Sequence, residues 1–219
     1  MCFSASASFT ASTVLGVIGV ILISKVSSKN LLVLAFIPLA FGFQQFSEGI
    51  VWLYLPDRAG ETIPIIAKNV FLFFAFVFWP IWIPLSLWLP EQNMARKNIL
   101  AICLGIGITL GCSLILTIPS FVPIFLCCSI NYSFDLIESN ISLLKKLNIA
   151  ALTAYGIATL LPLFLSSIKK AWIVGILVTL SAIITYWIDR SFFISMWCFF
   201  AAIFSSSLYF ILKKTSINQ

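Results

Sequence analysis

Val70-Phe-Leu-Phe-Phe-Ala-Phe-Val-Phe-Trp-Pro-Ile-Trp-Ile-Pro-Leu-Ser-Leu-Trp-Leu89 is a run of twenty residues with no charge and one hydroxyl. At the rise of an α-helix, about 20 apolar residues match the hydrocarbon thickness of a bilayer. A soluble helix keeps a polar face, and this run has none. Working outward, charges and Pro, Asn or Ser clusters divide the rest of the chain into similar runs. The expected spans are 5–24, 31–53, 67–89, 98–118, 148–168, 171–188 and 192–212. The expected fold class is therefore all-α, a polytopic membrane protein with seven transmembrane helices in one bundle. Composition agrees: of 219 residues 61% are hydrophobic and 9% charged, with a mean hydropathy of +1.11, against about 25% charged in a soluble domain. Removing the runs leaves no soluble domain, so residues 1–219 read as one transmembrane unit.

Charge sets the expected orientation. Lys25 and Lys29 follow the first run rather than precede it, so that run reads as a retained span and not as a cleavable signal. With the N-terminus outside, the inner side holds eight basic residues, Lys25, Lys29, Arg96, Lys97, Lys169, Lys170, Lys213 and Lys214, and one acid, Glu91. The outer side holds five basic and five acidic residues. The excess of lysine and arginine favours an outer N-terminus and a cytoplasmic C-terminus. Short connections make successive helices antiparallel neighbours. The exception is the outer-side loop 119–147, too apolar for a free linker, which reads as a re-entrant or interfacial segment, a short hairpin or a lid.

The absence of histidine removes His-ligated zinc or haem and Ser-His or Cys-His catalysis. No metal or other cofactor is expected. The formal charge of +6 is scattered in pairs beside apolar runs, as topology signals are, so nucleic acid is not an expected partner. The six cysteines show no CxxC spacing and read as small packing residues. Cys2, Cys127 and Cys128 fall on the outer side, where a bridge from Cys2 to either of the pair is conceivable.

Small residues mark close helix contacts. Ser4, Ser8, Ser12 and Gly16 recur every four residues in the first span, a stripe expected to face protein. Gly107 and Gly111 form a GxxxG in the fourth, for packing within the bundle or between copies as a homo-oligomer. Pro80 and Pro84 each remove a backbone donor and predict a kink.

The stretch Phe41-Gly-Phe-Gln-Gln-Phe-Ser-Glu-Gly-Ile-Val-Trp52 puts an ionisable Glu48 and two amides inside an apolar run. A charge at the centre of a span costs about 2.5 to 3.5 kcal/mol, so Glu48 should face the bundle interior, a partner or water. Gln44, Gln45 and Trp52 share its broad helical face. Either Glu48 reaches the headgroup region and bonds neighbouring backbone, or Gln44, Gln45 and Glu48 line an outward-facing polar pocket. Cys2, Ser4, Tyr186, Asp189, Ser195, Trp197 and Cys198 converge at that depth if the topology holds. From this follows an expected function: binding of a small or lipid-like ligand, for transport or sensing, by Gln44, Gln45, Glu48, Trp52, Ser4, Cys2, Tyr186, Asp189 and Trp197, with membrane lipid as the other partner. The alternatives are a lipid-modifying enzyme using Glu48 with Cys2 or Ser4, and a structural membrane subunit.

The opening Met1-Cys-Phe-Ser-Ala-Ser-Ala-Ser-Phe9, the Phe41–Trp52 stretch and Met196-Trp-Cys-Phe-Phe-Ala-Ala202 resemble an uncharacterised family of small bacterial integral membrane proteins. The resemblance covers essentially the whole chain and implies a multi-pass protein of the bacterial inner membrane, with no catalytic residues to carry over. Retinal proteins need a lysine deep in the last span, and 192–212 has none. Seven-helix ceramidase-like hydrolases need zinc-binding histidines. Sugar transporters of three plus one plus three helices share the span arrangement, with only faint likeness between the two halves here.

Overall fold

The computed structural model describes residues 4–55, 57–126, 129–134, 141–188 and 192–216. Cys2, Cys127, Cys128 and Asp189 lie outside them. The described chain is helical apart from one two-stranded hairpin. Among the described residues six helical segments are long and apolar enough to cross a membrane: Ala5–Lys25, Lys29–Tyr54, Thr62–Trp88, Met94–Ser120, Ala171–Ile188 and Phe193–Leu212. The stretch expected as a span over 148–168 holds a shorter apolar helix, Ile149–Leu165.

The first helix, α1 (Ala5–Lys25), lies antiparallel on α3 (Ile37–Tyr54), which follows the short α2 (Lys29–Ala35) after a break at Phe36. A β-carbon on Gly19 would fall 2.6 Å from Leu39, one on Gly42 3.1 Å from the Ser12 carbonyl oxygen, and one on Gly49 2.8 Å from the Phe9 ring. The buried positions of α1 are Ser8, Leu15, Gly19 and Leu22. Ser8, Leu15 and Leu22 repeat every seven residues, a spacing that keeps one helix face against a neighbour. Much of the expected stripe meets α3: Ser8 is buried, and the β-carbon on Gly42 would also fall 3.2 Å from the Gly16 nitrogen, while Ser4 serves as the N-cap.

The third segment runs α4 (Thr62–Phe73), a π-helical turn (Phe74–Phe78) and α5 (Trp79–Trp88). The irregularity has a cause in the prolines. In the π-turn the Trp79 N–H reaches back to the Phe74 carbonyl, so the Ala75 carbonyl would next be served by residue 80, a proline with no N–H. The Tyr155 hydroxyl donates to that carbonyl at 2.7 Å. One turn on, Pro84 withholds the N–H that would serve the Pro80 carbonyl. That oxygen faces Gly107 of α6 (Met94–Leu114), where a β-carbon would sit 1.8 Å away. The proline-bearing stretch and the Gly107–Gly111 surface are thus two sides of one contact, within a single chain, with Val77 and Ile81 against Gly111.

Beyond α6 a 3-10 turn (Ile115–Ser120) leads into the antiparallel hairpin β1 (Phe121–Leu126) and β2 (Ser129–Phe134), paired from Phe121↔Phe134 to Leu126↔Ser129. Alternation along β2 turns Ile130 and Tyr132 into the core, with Tyr132 stacked on Phe71. The apolar 119–147 connection therefore contains a hairpin packed on the bundle. The helices α7 (Ile141–Thr159), α8 (Leu161–Leu165), α9 (Ala171–Ile188), α10 (Phe193–Ser205) and α11 (Leu208–Ser216) complete the chain. Pro162 accounts for the break between α7 and α8.

Candidate functional site

The core forms two apolar clusters. One gathers Leu34, Phe41, Trp79, Leu87 and Ala202, and the other Val51, Trp52, Phe71, Tyr132 and Met196. On α3 they are separated by Gln44, Gln45, Ser47 and Glu48, all buried. The Ser195 hydroxyl, from α10, donates to Glu48 Oε1. Trp79 Nε1 donates to Gln44 Oε1 at 2.7 Å, its ring stacked on Phe41. Gln45 lies close enough to act on the Glu48 carboxyl, yet neither of its amide atoms completes a hydrogen bond of ordinary geometry among the described residues. Gln44 Nε2 stands likewise beside the Cys198 sulfur, a weak acceptor. The buried Tyr132 hydroxyl lies near enough to feel the same carboxyl, yet completes no hydrogen bond among the described residues. Burial, with Glu48 and Cys198 adjacent, holds this phenol well above its ordinary range, so it remains a donor.

Glu48 therefore points inward, into a closed polar layer, and no described basic residue bonds to it. The buried Lys68 on α4 donates instead to the carbonyls of Pro119 at 3.3 Å and Phe121 at 2.8 Å, fastening the hairpin.

Of the expected site residues, Gln44, Gln45 and Glu48 come together, and Trp52 lies a turn away in the second cluster. The Ser4 hydroxyl accepts from Ala7 N–H and pairs with Ser6, a capping role. Tyr186 is half-exposed, edge-on to Phe193. Trp197 donates to the Val178 carbonyl and stands edge-on to Tyr155. The residues not expected are Trp79, Tyr132 and Tyr155. Trp79 and Tyr155 had a legible signal, an aromatic with a polar tip beside a proline or inside an apolar helix, where the tip needs a partner.

Gln44, Gln45 and Glu48 line none of four cavities in the molecule. Two apolar cavities lie next to the layer. One, of about 70 Å³, runs between Trp79, Leu163, Val174 and Ala201; the other, of about 230 Å³, between Phe76, Phe121, Ala151 and Phe193. Tyr155, Trp197 and Cys198 border both.

These features define a multi-pass helical membrane protein with a buried polar layer and apolar cavities beside it. The chain belongs to the Family of unknown function (DUF6629), whose family model matches residues 1–219. No curated protein and no solved structure matches it.

Proposed function

We propose that this chain is a seven-span protein of the bacterial inner membrane, N-terminus outside and C-terminus inside. It binds the apolar portion of a lipid-like ligand in the paired cavities at Tyr155, Trp197 and Cys198, beside the Gln44–Gln45–Glu48 layer. Support for seven crossings comes from the connections. The α1–α2 turn, the α5–α6 turn and the α8–α9 loop border one cavity at one end of the bundle, so the chain between Glu91 and Ser166 leaves that end and returns to it. The basic residues of that end, Lys25, Lys29, Arg96, Lys97, Lys169 and Lys170, support its being cytoplasmic.

The observation that carries the ligand class is the shared wall. Two cavities lined almost wholly by apolar side chains meet at one Tyr, one Trp and one Cys, as concave ligand sites do. Their volumes suit a chain segment rather than a whole lipid. Filling the larger one tests this. Protein purified in mild detergent should retain an apolar adduct by native mass measurement, and Ala151→Phe should release it at unchanged melting temperature. No adduct on the wild type, or an adduct untouched by Ala151→Phe, overturns the reading.

A further inference from the structure

At the basic end of the bundle lies a cavity of about 530 Å³, larger than the apolar pair, walled by the α1–α2 turn, the α5–α6 turn, the α8–α9 loop and α11. Its lining differs in kind from that of the apolar pair: Asn30, Gln92, Ser166, Lys169 and Lys170 supply amide, hydroxyl and ammonium donors. One acid borders it, Glu91, which is 3% exposed. Its carboxylate accepts from Ser167 N–H at 2.9 Å, Ser167 Oγ at 2.7 Å and Asn93 N–H at 3.0 Å. Arg96 donates to the same Ser167 hydroxyl at 2.9 Å. Glu91 and Arg96 thus form a neutral latch joining two of the walls.

Two other lysines at this end are committed to aromatic rings. Lys25 lies 5.5 Å from the Tyr209 ring centre and Lys97 4.8 Å from that of Trp88. Among the described residues Lys169 and Lys170 have no acidic partner, and both line the cavity. Lys170 is also held at φ 71°, a left-handed conformation that glycine would adopt at lower cost. Two uncompensated ammonium groups, with neutral donors around them, match the oxygens of a tetrahedral anion. Phe210, 73% exposed, stands at the border beside Leu31 and gives one wall an apolar surface.

We propose that this cavity binds a phosphate group, either the headgroup of an anionic phospholipid or a free phosphate. The site is separate from the apolar cavities and does not depend on what they hold.

Full-length protein stripped of lipid in neutral detergent is titrated with inorganic phosphate, and in parallel incorporated into nanodiscs of phosphatidylcholine alone or of phosphatidylcholine mixed with phosphatidylglycerol. Bound phosphorus is read by 31P resonance and native mass. Lys169→Gln with Lys170→Gln should weaken retention about tenfold or more. Lys25→Gln with Lys97→Gln removes the same charge from the same end and should leave it unchanged, as two contacts outside the cavity. Helical content by circular dichroism checks that both variants fold. Retention of phosphate by itself identifies a free anion, and retention of phosphatidylglycerol without phosphate binding identifies a lipid headgroup; both support the site. Equal weakening by the two double variants shows diffuse attraction and overturns it. So does wild-type protein that holds neither ligand at low ionic strength.

Discussion

At the scale of single residues, Tyr155 shows how a backbone defect recruits a side chain. Its hydroxyl supplies the Ala75 carbonyl with a donor that Pro80 cannot provide. Tyr155→Phe removes one hydrogen bond and orphans a buried carbonyl, a loss of about 1 to 3 kcal/mol. Pro80→Ala restores an N–H at that point of the turn. Tyr155→Phe should therefore cost less in a Pro80→Ala background, and a double-mutant cycle of unfolding free energies should show coupling of about 1 kcal/mol. Additive losses would mean that the two residues act separately.

Glu48 was legible as a group that needs shelter from lipid, because a carboxyl flanked by amides in an apolar run has few low-cost positions; that it turns into the bundle and not toward the headgroups was decided by the fold. Its hydrogen-bond partner was not. Ser195 lies 147 positions away; topology put it at the depth of Glu48 among several other polar groups, and only the packing of α10 on α3 selects it.

At the scale of elements, the contact between α5 and α6 depends on a missing side chain. A β-carbon at Gly107 would collide with the Pro80 carbonyl, which is backbone and cannot rotate aside, whereas one at Gly105 on the same helix meets nothing within 4 Å. Gly107→Ala should destabilise the bundle by about 3 kcal/mol or more. Gly105→Ala should be neutral, or stabilising by up to about 1 kcal/mol through helix propensity. Denaturant unfolding in micelles measures both, and equal effects would refute the packing argument. The GxxxG spacing was readable in the sequence, as were the prolines. That they meet each other required knowing which faces of these two neighbouring helices are in contact.

At the scale of the whole molecule, the Glu91 latch joins segments 76 residues apart. Burial by itself would raise the Glu91 carboxyl, but the Ser167 hydroxyl and N–H, the Asn93 N–H and nearby Arg96 outweigh it. The group is held below its ordinary value near 4.5. The folded protein therefore binds this proton less readily than the unfolded chain. The latch contributes fully above about pH 4.5 and loses its contribution as pH falls through the folded value. Unfolding followed from about pH 7 to about pH 3 should show wild type losing stability in the acid range. Glu91→Gln should start about 2 kcal/mol lower at neutral pH and lose less on acidification. Parallel curves would remove Glu91 from the account.

The sequence by itself determined the membrane class, most of the helix limits, the cost of leaving Glu48 in lipid and a missing backbone donor at each proline. Each follows from a local quantity: length of apolar run, spacing, or a missing N–H. The tertiary structure decided the rest. It extended the α1 contact from the small-residue stripe to Leu15, Gly19 and Leu22, because α3 runs alongside α1 over most of its length. It built a hairpin from an apolar connection because Lys68 and Phe71 receive it. It closed the polar layer and opened the cavities elsewhere, because where space remains depends on how side chains from distant segments fit together, and no single stretch of chain contains that information.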